Sequence, residues 1–332
     1  MNATGQPEGE RLPLGGTARG AKGAPPSADA DKARQIFVSI ASYRDEYLPF
    51  TIDSALSQAV HPDRLTFGIC WQADDGESLA RFVDDPRFRI RRYPYHASLG
   101  YGWARAEVQR LYDGEKYHLL IDSHSAFAPG WDENLIAQLE GKPGAKPLLT
   151  TSSPPFTFDA AGNVVRPWAG TEQDGVPLMK CGVIRPAGWL DIQMSRERKV
   201  ERHQQTPFIC CNFVFTHGAW IRDVPEDPAM INAGHEGPLS ARTFTHGYDM
   251  YLPDSIQVWH LDYANYPDGQ RHKVWEAKSS RWQAERTESM IRRLQILLYG
   301  WGDPRGLGRY GLGDQRSLAQ WAEASGLDLT LE

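Results

Sequence analysis

Short apolar runs alternate along the first 140 residues with segments whose apolar positions recur every three or four residues. Gln35-Ile-Phe-Val-Ser-Ile-Ala41 reads as a strand, and Leu48, Ile52, Ala55, Leu56 and Ala59 follow at helical spacing, so the two make a βα unit. Residues 65–71 and 88–93 read as further strands and 100–111 as a helix. Leu119-Leu120-Ile121 then has the length and composition of a fully buried strand, which ends abruptly in Asp122-Ser123-His124. Strands alternating with helices predict a mostly parallel sheet covered on both faces, in which ligands bind at the carboxyl ends of the strands. Three polar clusters therefore face one crevice: Ser42, Tyr43, Arg44 and Asp45 after the first strand, Asp74 and Asp75 after the second, and Asp122 with His124 after the central one.

The pattern changes beyond residue 140. Pro and Gly punctuate residues 142–188, and 156–165 reads as a hairpin around Ala161-Gly162-Asn163, so this part elaborates the sheet rather than starting a new α/β repeat. A second buried strand is predicted over 208–215, a short helix over 236–246, and a strand over 256–262 that brings His260 near its end. Residues 275–299 read as one long packing helix with Trp282, Met290, Leu294 and Leu298 along a stripe. The first 33 residues are rich in Gly, Pro, Ala and scattered charge and are expected to be a disordered tail. The expected organisation is a catalytic domain over 34–270, with an irregular insertion at 142–205, and a helical extension over 271–332 packed on it.

Composition narrows the function classes. The chain has 332 residues, 41% of them hydrophobic, enough for one large core; 36 Lys and Arg against 42 Asp and Glu give a formal charge of −6, which disfavours nucleic acid as a partner. The four cysteines include an adjacent pair and no CxxC, so neither a disulfide framework nor a zinc knuckle is indicated and a reducing compartment fits. No run of about eighteen apolar residues exists and the start lacks a hydrophobic signal core, so the expectation is a soluble, cytoplasmic protein without a membrane span.

In an extended backbone residues two apart point the same way, so Asp122 and His124 can close on one cation. A carboxylate with an imidazole suits Mn²⁺ and, in other geometries, Zn²⁺. The alternative is a turn in which Asp122 caps the following segment and His124 is a surface residue.

Four blocks in order, IFVSIASYRDEYLPFTIDSAL, LLIDSHSAFAPGWD, EGPLSARTFTHGYDMYLPDSIQVWHLDY and YGLGDQRSLAQWAEASGLD, resemble glycosyltransferase family 60, a family of N-acetylglucosaminyltransferases, over most of residues 36–328. The resemblance implies a GT-A fold, a UDP-sugar donor (UDP-GlcNAc in characterised members), Mn²⁺ or Mg²⁺, and retention of anomeric configuration. It implies a hydroxyl acceptor on a protein, including hydroxyproline, or on a small molecule. Asp-Ser-His is also similar to the metal motif of polypeptide N-acetylgalactosaminyltransferases, and the later histidine that completes the ligands there matches His260, giving Asp122, His124 and His260 as the implied metal set. Residues 41–45 would hold the uridine, with Ala41, Ser42, Tyr43, Arg44 and Ser123 at the donor and Asp74 or Asp75 at uracil or ribose.

Arg105 matches a family position near the donor and ranks above Arg44 and Arg242 for contact with pyrophosphate or sugar. Glu236 is the implied catalytic and sugar-side carboxylate, and Asp249 supports the same wall. Related sequences carry an acidic pair where this chain reads Gly234-His235-Glu236-Gly237. Trp131, Trp168 and Trp189, with the insertion, are expected to wall the acceptor. Two other classes remain open: a zinc-dependent hydrolase of an acyl-sugar with Glu236 as general base, and a non-catalytic nucleotide-sugar-binding module.

Overall fold

A computed structural model describes residues 34–166, 175–184, 187–199, 201–231, 233–261, 266 and 271–330. The tail predicted over 1–33 lies outside these residues, as does Trp168.

A seven-stranded sheet forms the centre. In chain order its members are β1 (Ile36–Tyr43), β2 (Leu65–Ala73), β3 (Phe88–Pro94), β4 (Tyr117–Asp122), β6 (Pro147–Thr150), β11 (Phe213–His217) and β12 (Asp249–Tyr251). Across the sheet they run β12-β6-β11-β4-β1-β2-β3. All neighbours are parallel except β11, which is antiparallel to both β4 and β6. The α/β class and mostly parallel sheet expected from the sequence are thus present. Every residue of β2 is buried, and β1 and β4 lose contact with solvent until their last residues, as strands covered on both faces must. Helix α1 (Leu48–Gln58) places Leu48, Thr51, Ile52 and Ala55 on one buried stripe. Helices α2 (Tyr101–Gln109) and α3 (Trp131–Glu140) also cover the sheet.

Three expectations are corrected. Residues 142–205 are not simply irregular: they contribute β6 to the central sheet and an antiparallel pair, β9 (Val176–Ile184) and β10 (Trp189–Lys199). The short hairpin β7 (Thr157–Phe158) and β8 (Val164–Val165) is where the turn signal placed it. The apolar run 208–215 is a strand only from Phe213. Before that, side chains take the backbone N–H groups that a neighbouring strand would have used: Ser240 Oγ accepts from Ile209 at 2.8 Å, Thr150 Oγ1 from Cys210 at 3.1 Å and Glu236 Oε1 from Cys211 at 2.6 Å. The helix predicted over 275–299 is broken, because Ser279 Oγ accepts from Trp282 N at 3.2 Å and starts a new helix.

The described residues also form the short strands β5 (Ser125–Phe127) and β13 (Val258–His260) and the α-helices α4 (Trp220–Asp223), α5 (Glu236–Thr245), α6 (Ser280–Tyr299) and α7 (Leu318–Ser325), besides short 3-10 turns. Helices α6 and α7 share an apolar cluster with β13, β9 and β10, and the fully buried Trp321 donates its indole N–H to Pro207 O at 2.8 Å. Among the described residues no helix is long and apolar enough to cross a membrane.

Candidate active site

The site is assembled at the carboxyl edge of β4. Asp122 is its last residue, and the chain turns there because Thr51 Oγ1 on α1 donates to Ser123 O and accepts from Ser125 N, both at 2.8 Å. That turn feeds β5, whose antiparallel pairing with β13 sets Ser125 opposite His260. His260 is thereby delivered beside His124 from 136 residues away: their Nε2 atoms are 2.9 Å apart, and His260 Nε2 lies 3.1 Å from Asp122 Oδ2.

Asp45, in the loop after β1, orients this group. Its Oδ2 lies 2.6 Å from His124 Nδ1 and accepts from Ser123 Oγ at 2.6 Å, while Oδ1 accepts from Tyr47 N at 3.0 Å. A proton held on Nδ1 by that carboxylate leaves Nε2 of His124 as a lone pair directed at His260 and Asp122. Burial pushes the His124 imidazole below its ordinary range against the pull of Asp45, which favours the neutral form a metal requires. Burial alone would raise the Asp122 carboxyl, but the hydrogen bond from His260 and the charges of His260, His124 and Arg105 take it well below.

The donor set fits a divalent ion. Separations of 2.9 Å, 3.1 Å and, between His124 Nε2 and Asp122 Oδ2, 4.0 Å allow one ion about 2.0 Å from all three atoms, the length of a metal–nitrogen or metal–oxygen bond. Two imidazoles with one carboxylate suit Mn²⁺, Zn²⁺ and their neighbours.

Asp122, Ser123, His260, Ala41, Tyr43 and Glu236 line a cavity of about 450 Å³, to which Arg271, His272, Lys273, Val274 and Trp275 also contribute. Glu236, the first residue of α5, opens to this cavity while its Oε1 is bonded to Cys211 N; desolvation raises its carboxyl to about 7. Arg44 adopts a φ of +46°, the left-handed region, with its N–H on Gln72 O at 3.0 Å and its guanidinium on Asp74 at 2.8 Å. A larger open cleft of about 600 Å³ lies elsewhere, lined by Arg110, Arg222 and Arg309 among others, and contains none of the convergent ligands.

Several sequence expectations require correction. Arg105 does not line the cavity. It is buried behind Tyr101, whose ring centroid is 4.1 Å from its guanidinium carbon; its Nη2 donates to Cys211 O at 2.7 Å and lies 3.4 Å from Asp122 Oδ1. Arg105 therefore positions Asp122 from behind. Ser42 is fully buried and absent from the lining, its carbonyl occupied by Gln72 Nε2 at 2.9 Å. Asp75 stands exposed at a turn, and it is Asp74 that borders the adjoining small cavity with Tyr43 and Arg44.

Trp131 is no acceptor wall: it is completely buried on α3, with its indole N–H on Ala55 O at 2.9 Å and its ring against Phe127. Trp189 packs against the Met230, Met290 and Leu294 cluster. Arg242 is buried away from the cavity, donating to Gly311 O at 3.3 Å, and Asp249 pairs with Arg316.

Sequence reasoning placed Asp45 in a uridine loop and missed its contact with His124; it also missed the wall at 271–275, where the basic run Arg271-His272-Lys273 followed by Trp275 was the available signal.

A mixed sheet of this order, with a carboxylate and two imidazoles gathered at the carboxyl edge of its central strand, is the GT-A fold of glycosyltransferases. The family model for Glycosyltransferase (GlcNAc) matches residues 35–85 and 78–331, and the chain belongs to that family. GalNAc-T7, solved with UDP, GalNAc and Mn²⁺, superposes with a TM-score of 0.58 at 14% identity, covering 88% of this chain and 56% of its own. The chain thus spans a little over half the length of that protein. Residues 1–349 of S. aureus TarS, in complex with UDP-GlcNAc, give a TM-score of 0.47 at 9% identity, over 82% of this chain and 75% of that fragment. No curated protein sequence matches significantly.

Proposed function

We propose that the protein transfers a sugar, GlcNAc as the first choice, from a UDP-sugar to a hydroxyl acceptor with retention of configuration, using Mn²⁺ or Mg²⁺ held by Asp122, His124 and His260. The observation that carries this reading is the convergence of those three side chains at the end of the central strand, where Asp122 and His260 line the cavity and His124 lies buried against them. The ion would offset the charge that develops on the departing diphosphate.

The chain's own residues supply the rest. Ala41 and Tyr43 at the end of β1, with Arg44 fixed by Asp74, form the side for uridine, and Ser123 lines the wall beside Asp122. Arg271 and Lys273 line the same cavity and are suited to the diphosphate's anionic oxygens. Glu236, with its carboxyl near neutrality, can hold a sugar or acceptor hydroxyl in either protonation state. Trp275, half exposed at this wall, offers the aromatic face that sugar stacking uses, the role assigned from sequence to Trp131. The acceptor is a hydroxyl of a peptide or of a small molecule, and a catalytic unit over 34–270 with a packed helical extension is the organisation that goes with it.

Calorimetry tests the reading directly. UDP binds in the presence of Mn²⁺ and binds at least tenfold more weakly in excess chelator, and UDP-GlcNAc is hydrolysed slowly when no acceptor is present. Metal-independent turnover of an acyl-sugar with no nucleotide requirement would instead assign the site to a hydrolase.

A further inference from the structure

Behind the cavity wall lies a second group of three ligand types: the Cys211 thiol, the Glu226 carboxylate and the His235 imidazole, all buried, with one ligand atom of each within 4.8 Å of the others. Cys211 Sγ is 3.3 Å from His235 Nε2. In a tetrahedral zinc site with ordinary metal–sulfur and metal–nitrogen bonds these atoms stand about 3.5 Å apart. Glu226 is 3% exposed and its Oε1 accepts no hydrogen bond, the nearest cationic atom being Arg105 Nη1 at 3.8 Å. A small cavity of about 10 Å³ borders Glu226 and His235, room for one water as a fourth ligand.

The backbone builds this cluster on purpose-made contacts. Gly102 N donates to Met230 O at 2.7 Å, and a Cβ on Gly102 would meet the carbonyl oxygens of Asp227 and Met230. A side chain there would push the Glu226 segment away from α2.

We propose that Cys211, Glu226 and His235 form a second metal site, separate from the Asp122 group, that takes Zn²⁺. The set is one soft sulfur, one imidazole and one carboxylate, which selects Zn²⁺ over Mg²⁺ or Ca²⁺, whose preferred ligands are all oxygen. Cys211 loses its proton to solvent as the ion enters, so the dication with its thiolate and carboxylate is electrically neutral as a unit. Arg105 beside it then keeps its charge for Asp122, to which it is already 3.4 Å away.

The site is distinguished from the Asp122 group by sulfur. Co²⁺ added to the full-length protein is expected to produce a near-ultraviolet sulfur-to-cobalt charge-transfer band that saturates by two equivalents, the Asp122 group taking the other, and is displaced by Zn²⁺. The band persists in Asp122→Asn, disappears in Cys211→Ser, and needs roughly tenfold or more Co²⁺ to half-saturate in His235→Ala and in Glu226→Gln. Circular dichroism checks the fold of each variant, and the two non-cysteine variants keep the test decisive if Cys211→Ser does not fold. Absence of the band in the wild-type protein, or an unchanged Co²⁺ titration in both His235→Ala and Glu226→Gln, would overturn the proposal and leave a thiol–imidazole hydrogen bond only.

Discussion

The two ligand groups differ in what surrounds them, and Arg105 lies between. The Asp122 group stands at a strand end with a cavity on one side, and each of its imidazoles is held by a carboxylate: His124 by Asp45 at 2.6 Å and His260 by Asp122 at 3.1 Å. The side chains of the Cys211 group are all buried; its members come from a loop before β11, from the segment after α4 and from the turn before α5. An open site with oriented ligands can exchange substrates, whereas an enclosed one with a thiol can only hold. A shared arginine makes the enclosed group part of the support for the open one.

The largest effect that sharpens this contrast is loss of the open group. If the proposed ion is held there, Asp122→Asn and His124→Ala should each lower UDP-GlcNAc turnover by about a thousandfold, with the circular dichroism spectrum unchanged, because each would remove a direct ligand of it. Retention of activity in either variant, or in excess chelator, would end the metal-dependent reading.

Arg105→Ala acts on both groups together. It leaves Asp122, Glu226 and the Cys211 carbonyl facing an uncompensated space, and breaking a buried ion pair in this way costs about 3 kcal/mol. Urea denaturation of the two proteins measures it; a change under about 1 kcal/mol would show that the arginine is not a structural bridge.

Asp45→Asn is a smaller perturbation confined to the open group. It keeps the shape but weakens the hold on the His124 tautomer, and such outer carboxylates typically contribute 10- to 100-fold in metal affinity. Mn²⁺ titration followed by calorimetry should show that loss while UDP affinity measured without metal stays the same. Equal losses in both would place Asp45 at the nucleotide instead, as the sequence suggested.

Much of the open group could be seen in the chain because strand periodicity locates it. Alternation of β and α fixes which strand ends share an edge, so Asp122 and His124 followed from an apolar run and the turn after it. His260 came only through family resemblance, since its position depends on the register of β13 against β5, a pairing of three residues each that carries almost no local signal. The misplacements have one cause. Arg105, Trp131 and Ser42 occupy the right stretches of chain but face inward, and a fully buried arginine or tryptophan has the same letter as an exposed one. The enclosed group was illegible for a related reason: Cys211 lies in an apolar run that reads as strand, and the capture of its N–H by Glu236, with those of Ile209 and Cys210 by Ser240 and Thr150, turns that run into a loop.

The smallest effect concerns Glu236, which touches the enclosed group through the Cys211 N–H and the open one through the cavity. Desolvation, with the Asp122 charge adding to it, raises its carboxyl from 4.5 to about 7 against the opposing pull of the Cys211 N–H and Arg105. A carboxyl whose folded-state value exceeds its unfolded one makes the native protein bind more protons than the unfolded chain between those two values. Its contribution is therefore fully present below about pH 4.5 and declines as pH rises to about 7. Glu236→Gln cannot titrate, so the gap in melting temperature between wild type and variant should shift against the wild type from pH 5 to pH 7 and then level off. The shift should amount to a few degrees at most, since the carboxylate opens to the cavity and water offsets part of the desolvation. Melting curves of the two proteins at half-unit pH steps measure it. Parallel dependence across that window would mean that Glu236 is ionised throughout, held by the Cys211 N–H and Arg105, and that its place between the two groups does not perturb it.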